Sequence, residues 1–317
     1  MTDAATLSAI EPVSMRRWGE DFAGFAEDLG RSFERYGFAV VGDHGLDQAM
    51  LDEALAQTKA FFALPEAVKR RYHIPGGGGA RGNTPFGVET AKGATLHDLK
   101  EFWHMGRDLP EGHPYRKYMP DNVWPDAELP GFRPAISAQF QALDQLGLKL
   151  LRAIARYLDL RDDWFDPTVR WGNSVLRLLH YPPVGADSPH VRAGAHEDIN
   201  VITLLLGAEE AGLELLDRDG RWLPVSPPPG AVVCNIGDML QRLTNHRLPS
   251  TTHRVVNPAP ERRGFSRYST PFFLHFEPEY LIETLPNCID PEHPDRYPEP
   301  ITAEDFLQQR LREIKLL

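Results

Sequence analysis

Ala195-His196-Glu197-Asp198-Ile199-Asn200-Val201-Ile202-Thr203-Leu204-Leu205-Leu206 sets a His and an Asp two residues apart at the mouth of an apolar, β-branched run. Residues at i and i+2 of an extended chain face the same way. One imidazole and one carboxylate on one face, joined by a distant second imidazole, make the facial triad that holds non-haem Fe(II) and leaves coordination positions open. His253 can supply that imidazole. It lies in Ser250-Thr251-Thr252-His253-Arg254-Val255-Val256, another strand-like segment, with 54 residues between it and Asp198, room for several antiparallel strands. Fourteen residues further on, Arg267-Tyr268-Ser269-Thr270-Pro271-Phe272-Phe273 again puts two polar groups, a guanidinium and a hydroxyl, on one face. A planar guanidinium grips a carboxylate through two parallel charge-assisted hydrogen bonds.

Each element alone has a plain structural reading. A His-x-Asp is common on surface turns, His253 could be a hydrogen-bonded structural histidine, and Arg267 with Ser269 could be a solvated strand face. Their joint occurrence in order, flanked by apolar segments suited to a buried barrel, favours a site over three coincidences.

At these intervals, His196-x-Asp198, His253 and Arg267-x-Ser269 resemble the Fe(II)- and 2-oxoglutarate-dependent oxygenases, specifically the branch that includes isopenicillin N synthase. Gly37-Phe38-Ala39-Val40-Val41 with His44-Gly45-Leu46 resembles the amino-terminal region of that branch, and His180-Tyr181-Pro182-Pro183 the segment before its iron motif. Gly212-Leu213-Glu214-Leu215, Asn235-Ile236-Gly237-Asp238 and Thr244-Asn245 are also similar, so that residues 7 to 285 can be followed. Leu179 departs from the pattern, since the branch often has Asn two residues before the Tyr.

The resemblance implies a mainly β fold, a double-stranded β-helix (jelly roll) core with flanking helices and an α/β amino-terminal region. The expected division is 1–130 for that region and 131–317 for the core, with a scaffold helix over 134–158, the barrel over 172–277 and a carboxy-terminal helix over 302–314. It also implies roles. His196, Asp198 and His253 would hold Fe(II); 2-oxoglutarate would chelate the metal and extend its far carboxylate to Arg267 and Ser269; Tyr181 would hydrogen-bond the cosubstrate. Reaction with O2 would yield succinate and CO2 while a small molecule is hydroxylated, desaturated or ring-closed. Two alternatives stay open here: an Fe(II) oxidase of the same fold that needs no 2-oxoglutarate, and a non-catalytic protein that senses iron or a metabolite. No Gly-x-Ser-x-Gly elbow supports a serine hydrolase.

Periodicity supplies the scaffold. Asp21 to Tyr36 repeats Phe22, Phe25, Ala26, Leu29 and Phe33 at helical spacing and stops at Gly37. Phe38 to Val41 reads as a strand, Asp47 to Phe62 as a helix, and Pro65 opens a shorter one through Tyr72. The positions Ile136, Phe140, Leu143, Leu146, Leu150, Ile154 and Leu158 trace one long helical stripe, which is scaffold. Strands are expected at Ser174 to Tyr181, His196 to Leu206, Leu213 to Leu216, Trp222 to Val225, Ala231 to Ile236, His253 to Val256 and Ser266 to Leu274. Thr302 is a candidate N-cap for the last helix, with Glu304 and Asp305 in its first turn. The Gly-rich stretch 76–93 lacks a Gly-Lys-Ser/Thr ending, so a flap beside the site is expected there rather than a phosphate cradle.

For the substrate, Arg177 alternates onto the face of Tyr181 and is a candidate anchor for an anion. Phe273 lies six residues past Arg267, where relatives use a pocket residue, and Asn200, two past Asp198, should face the metal side. Phe102 and His104 belong to a strand-like piece expected near the substrate pocket, with packing beneath a loop as the alternative. Each of these could equally be barrel packing or a buried ion pair.

Composition narrows the partners. A chain of 317 residues, 42% hydrophobic and 25% charged, has material for a large core. A formal charge of −11 argues against a nucleic-acid backbone, which needs clustered Lys and Arg. Cys234 and Cys288 form neither a metal spacing nor a disulfide framework. Met1 to Ile10 lacks the basic start and apolar run of a secretory signal, and no run approaches the roughly 20 apolar residues that span a bilayer. The expectation is therefore a cytoplasmic enzyme with a small-molecule substrate, no nucleic-acid or membrane partner, and an open oligomeric state.

Overall fold

The computed structural model describes residues 10–88, 99–183, 192–206, 212–257 and 263–313. The amino-terminal part begins with β1 (Pro12–Ser14), α1 (Arg17–Glu20), α2 (Phe22–Tyr36) and β2 (Phe38–Gly42). Asp21 caps α2 by accepting from the Gly24 amide at 3.0 Å, and Gly37 ends it at φ 67°, a left-handed conformation that favours glycine. A side chain at residue 37 would also strike Thr251 and the Pro249 carbonyl, so this glycine lets the helix end lie against the segment leading to His253. Then come α3 (Gln48–Phe62), capped by Asp47, α4 (Glu66–Lys69) with a 3-10 turn through Tyr72, β3 (Gly82–Thr84) and β4 (Glu101–Gly106). The expected flap is described as far as residue 88; positions 89–93 lie outside the described residues.

The scaffold helix is α5 (Phe132–Tyr157), two residues earlier at its start than the stripe alone implies, because Pro134 sits inside its first turn. Pro is tolerated there, where amides lack intrahelical partners. After α6 (Asp166–Val169) follow β5 (Val175–Tyr181), β6 (Ala193–His196), β7 (Ile202–Leu206), β8 (Leu213–Leu216), β9 (Trp222–Pro224), β10 (Val232–Ile236), α7 (Asp238–Leu243), β11 (His253–Val255), β12 (Arg267–Ser269), β13 (Pro271–Leu274), β14 (Leu281–Ile282), β15 (Ile301–Thr302) and α8 (Ala303–Glu313). Thr302 does cap α8, accepting from the Asp305 amide at 3.1 Å while donating to the Asp305 carboxylate.

Two expected strands divide. The run from His196 to Leu206 is β6 and β7, in different sheets, because residues 197–201 cross between them; the Asn200 amide satisfies the Ile202 carbonyl locally, which competes with ladder pairing. Ser266 to Leu274 breaks at Thr270 into β12 and β13, both paired with β5. Periodicity does not anticipate the helix α7 or the short strands β1, β3, β14 and β15.

The major sheet runs β1-β2-β10-β7-β13-β5-β4-β3, with β12 also on β5; the minor sheet runs β6-β11-β8-β9. Amino-terminal strands thus complete the same sheet that carries the barrel strands. The major sheet has two faces with different neighbours. Trp103, Leu176, Leu178, Leu204, Phe272, Leu274, Val232 and Cys234 pack with α2, α3 and α5 in the large core. On the opposite face, Phe38, Val40 and Val233 meet Leu215 of the minor sheet in a second cluster, and Phe102, Leu179 and Tyr181 form a third. The space between the sheets, on this second face, is the interior of the jelly roll. Among the described residues no helix is long and apolar enough to cross a membrane.

Candidate active site

Antiparallel pairing of β6 with β11 sets His196 directly opposite His253, their ring centroids 4.4 Å apart. Asp198 reaches the same point from the loop that leaves β6. Its Oδ1 stands 3.9 Å from the Nε2 of each histidine, and the three ligand atoms lie within 4.8 Å of one another. Glu197, between the two ligands, points away and accepts from Thr252.

Every atom of the trio that is not turned inward is occupied. His196 Nδ1 is 2.8 Å from the Gly194 carbonyl and His253 Nδ1 is 3.1 Å from the Thr251 carbonyl. A carbonyl only accepts, so both Nδ1 atoms carry the proton and both Nε2 atoms present lone pairs. Asp198 Oδ2 accepts from Thr203 at 2.6 Å and Asn235 at 2.8 Å, which leaves Oδ1 for the shared point. Two neutral imidazoles and one carboxylate, each held by a partner behind it, form a donor set suited to Fe(II).

The electrostatics fit. Desolvation at the site and the neighbouring His253 lower the pKa of His196 below its usual 6.5, an effect weakened by solvent that reaches its 42% exposed side chain. Burial alone would raise Asp198, yet the facing imidazoles and the hydrogen bonds from Asn235 and Thr203 outweigh it and hold the carboxyl below its usual range. The loop is fixed as firmly. Asp238 N–H donates to the Asp198 carbonyl at 2.7 Å, and Gly237 N–H to that of Val201 at 2.9 Å. A Cβ at Gly237 would stand 2.1 Å from the Asn200 carbonyl oxygen, so only glycine lets α7 approach this closely. That is the physical content of the Asn235-Ile236-Gly237-Asp238 stretch.

Along the second face of the major sheet, Asn235, Thr203, Phe273 and Val175 stand side by side across β10, β7, β13 and β5. Alternation from Val175 brings Arg177, Leu179 and Tyr181 onto that face. Arg267 pairs with Tyr181 and Ser269 with Leu179. Arg267 is buried with its guanidinium 5.1 Å over the Tyr181 ring. Leu179, at the position where the branch often has Asn, joins Phe102 and Tyr181 in the apolar wall.

The candidate substrate residues largely converge. Register places Phe102 opposite Leu179 and His104 opposite Arg177. Arg177 Nε donates to His104 Nε2 at 2.5 Å, and His104 Nδ1 is fixed by the Gly79 carbonyl at 2.6 Å. The Arg177 guanidinium lies 4.4 Å over Phe102 and 5.3 Å over Phe273. Asn200 stands apart from this group, its amide donating to Ile202 and Thr203 behind Asp198.

Sequence reading assigns no role to Thr203 and Asn235, the two donors behind Asp198. Asn235 has a signal, a lone amide in the apolar strand Val232 to Ile236.

Comparison with known proteins places this geometry. Residues 10–127 match a profile described as the amino-terminal domain of the non-haem dioxygenase in morphine synthesis, and residues 172–276 match the 2OG-Fe(II) oxygenase superfamily. The 2-oxoglutarate-Fe(II) type oxidoreductase hxnY of Emericella nidulans is 34% identical over 297 residues, 90% of this chain and 83% of that one. The chain belongs to the 2OG-Fe(II) oxygenase superfamily. A 2OG-Fe(II) oxygenase family protein from Caulobacter crescentus superposes with a TM-score of 0.92 at 65% identity, covering 97% of this chain and 99% of its own. A full-length Neurospora crassa protein, solved in complex with alpha-KG and thymine, gives 0.85 at 28% identity and 96% of each chain. The oxygenase is therefore an Fe(II)- and 2-oxoglutarate-dependent enzyme with a double-stranded β-helix, oxidising a small molecule with formation of succinate and CO2.

Proposed function

We propose that His196 Nε2, Asp198 Oδ1 and His253 Nε2 ligate the iron, that Arg267 and Ser269 hold the far carboxylate of 2-oxoglutarate, and that Tyr181 completes the cosubstrate pocket. The observation carrying this reading is the convergence of three ligand atoms whose remaining polar atoms are already bonded elsewhere. Bound there, the metal would supply activation of O2 coupled to decarboxylation of the keto acid. The chain's own part is to orient. Neutral imidazoles and one carboxylate leave a single net positive charge on Fe(II), which favours a bidentate keto acid; the buried guanidinium at Arg267 then fixes that acid's far end.

We assign the substrate to the space bounded by Phe102, His104, Arg177 and Phe273. The stacked, His104-held Arg177 favours a small anionic or hydrogen-bond-accepting substrate set against an aromatic wall. The amino-terminal motif resemblance supports membership of the isopenicillin N synthase-like branch. Two buried cysteines without a disulfide support a reduced, cytoplasmic setting.

Anaerobic addition of Fe(II) and then 2-oxoglutarate to the apo-protein tests the reading. A weak visible charge-transfer band should appear with wild type and with Arg177→Met, and be lost with Asp198→Ala. A band of full strength in Asp198→Ala refutes the ligand assignment.

A further inference from the structure

Behind the cosubstrate anchor, on the opposite face of the major sheet, lies a chain of charged and polar side chains that runs from the buried Lys69 and Glu101 to the partly buried His180 and Ser266. Lys69 Nζ, on α4, bonds both carboxylate oxygens of Glu101 at 2.8 and 2.6 Å, the two side chains 6% and 1% exposed. Glu101 Oε1 also faces His180 Nδ1 at 2.8 Å, and His180 Nε2 faces Ser266 Oγ at 3.0 Å. A carboxylate only accepts, so Nδ1 carries the proton and Nε2 can take the Ser266 hydroxyl's. The ring stacks on Tyr268 at 4.9 Å with 13° between planes, and Phe62 lies tilted beside both rings, 5.4 Å from His180 and 6.5 Å from Tyr268.

The positions of these groups follow from register. Tyr268 pairs with His180 and Arg267 with Tyr181, so alternation turns His180 and Tyr268 outward where Arg267 and Tyr181 turn inward. β12 is only three residues long and ends at the break before β13. A three-residue ladder by itself holds orientation weakly. His180 adds a contact to the residue before Arg267 and another to the residue after it. Buried ion pairs stabilise little over an apolar replacement, and their best-attested use is to fix one arrangement among several.

We propose that His180, backed by the Glu101–Lys69 pair, is a positioning residue for the cosubstrate: it clamps β12 onto β5 so that Arg267 arrives preorganised. The inference rests on the proposed anchoring role of Arg267. Preorganisation lowers the ordering cost of binding, so loosening the clamp weakens 2-oxoglutarate without touching the iron ligands.

Titration of the charge-transfer band with 2-oxoglutarate at saturating Fe(II) is the test. His180→Phe keeps the ring stack and removes both hydrogen bonds; it should raise the 2-oxoglutarate midpoint about tenfold, with Fe(II) affinity and kcat at saturating cosubstrate within about twofold of wild type. Ser266→Ala, which leaves Glu101 and Lys69 untouched, should raise it about threefold. His180→Gln, able to reach Glu101 or Ser266, should recover part of the loss. A purely structural role would lower the melting temperature and the active fraction but leave the midpoint where it is; an unchanged midpoint in Ser266→Ala and in folded His180→Phe overturns the proposal. If Arg267→Ala also leaves the midpoint unmoved, the anchor assignment has failed instead.

Discussion

The iron end of the chamber and the end proposed for the substrate are built by different means. At the iron end, the partners behind the ligands are two backbone carbonyls within two residues of their histidines and two short side chains on neighbouring strands. At the substrate end, Arg177 depends on His104 of another strand, His104 depends on a carbonyl at Gly79, and the two rings that sandwich the guanidinium come from β4 and β13. Each iron ligand has a fixed partner behind it and tolerates little change. A site assembled across strands can change its preference by substituting any one contributor.

The largest break in this comparison comes at the metal. Asp198→Ala removes the one anionic ligand and strands the Thr203 and Asn235 donors, and turnover should vanish while the β core stays folded; normal far-UV dichroism with zero succinate formation is the expected pair of results. Arg267→Ala comes next. Loss of a bidentate, charge-assisted grip should weaken 2-oxoglutarate about 100-fold and leave the Fe(II) titration in place. Equal losses for iron and cosubstrate would show that the two ends are not separable.

These two effects concern the residues that were legible in the sequence, and the reason is physical. His196 and Asp198 are two apart, Arg267 and Ser269 are two apart, and each pair inherits a shared direction from local extended geometry alone. The helical stripes of α2 and α5 were legible for the same reason, since a period of 3.6 needs no partner to be seen. The Arg177–His104 bond was not, because it requires the register of β4 on β5, set by residues 73 positions apart. The division of the 196–206 run was hidden too: an apolar strand after a polar turn looks continuous, and only the small sheet's pairing of His196 with His253 pulls its first residues away.

Smaller changes sharpen the contrast. Arg177→Met should raise the half-saturation for a carboxylate substrate by about tenfold or more and barely move that for its neutral ester; a uniform effect on both would make Arg177 part of the packing. Thr203→Val removes one of two donors to Asp198 Oδ2, and loss of such an outer partner typically costs about tenfold in metal affinity, with the substrate preference unchanged. Competitive Fe(II) chelation on the variant would give the figure, and an affinity equal to wild type would mean that Asn235 alone suffices.

The gentlest test concerns a third buried imidazole. His275 follows β13, is 9% exposed, and its Nδ1 is 3.1 Å from the Phe273 carbonyl. Burial pushes its pKa down to about 4 from 6.5. Between those values the unfolded chain binds a proton that the folded one refuses, so stability is fully present above about pH 6.5 and is lost as pH falls toward 4. The slope for one such group is at most about 1.4 kcal/mol per pH unit, on the order of 3 kcal/mol across the window. His196 contributes in the same direction, but its ring is 42% exposed at the chamber's open side, which screens the effect. Urea midpoints taken from pH 7 to pH 4.5 on wild type and His275→Gln separate the two. The variant should be less stable at pH 7 and lose less on acidification, while Asp238, raised to about 6 by burial, and His246, lowered by burial, titrate alike in both proteins and cancel in the comparison. Parallel acid limbs in the two proteins would show that His275 does not carry the destabilising proton.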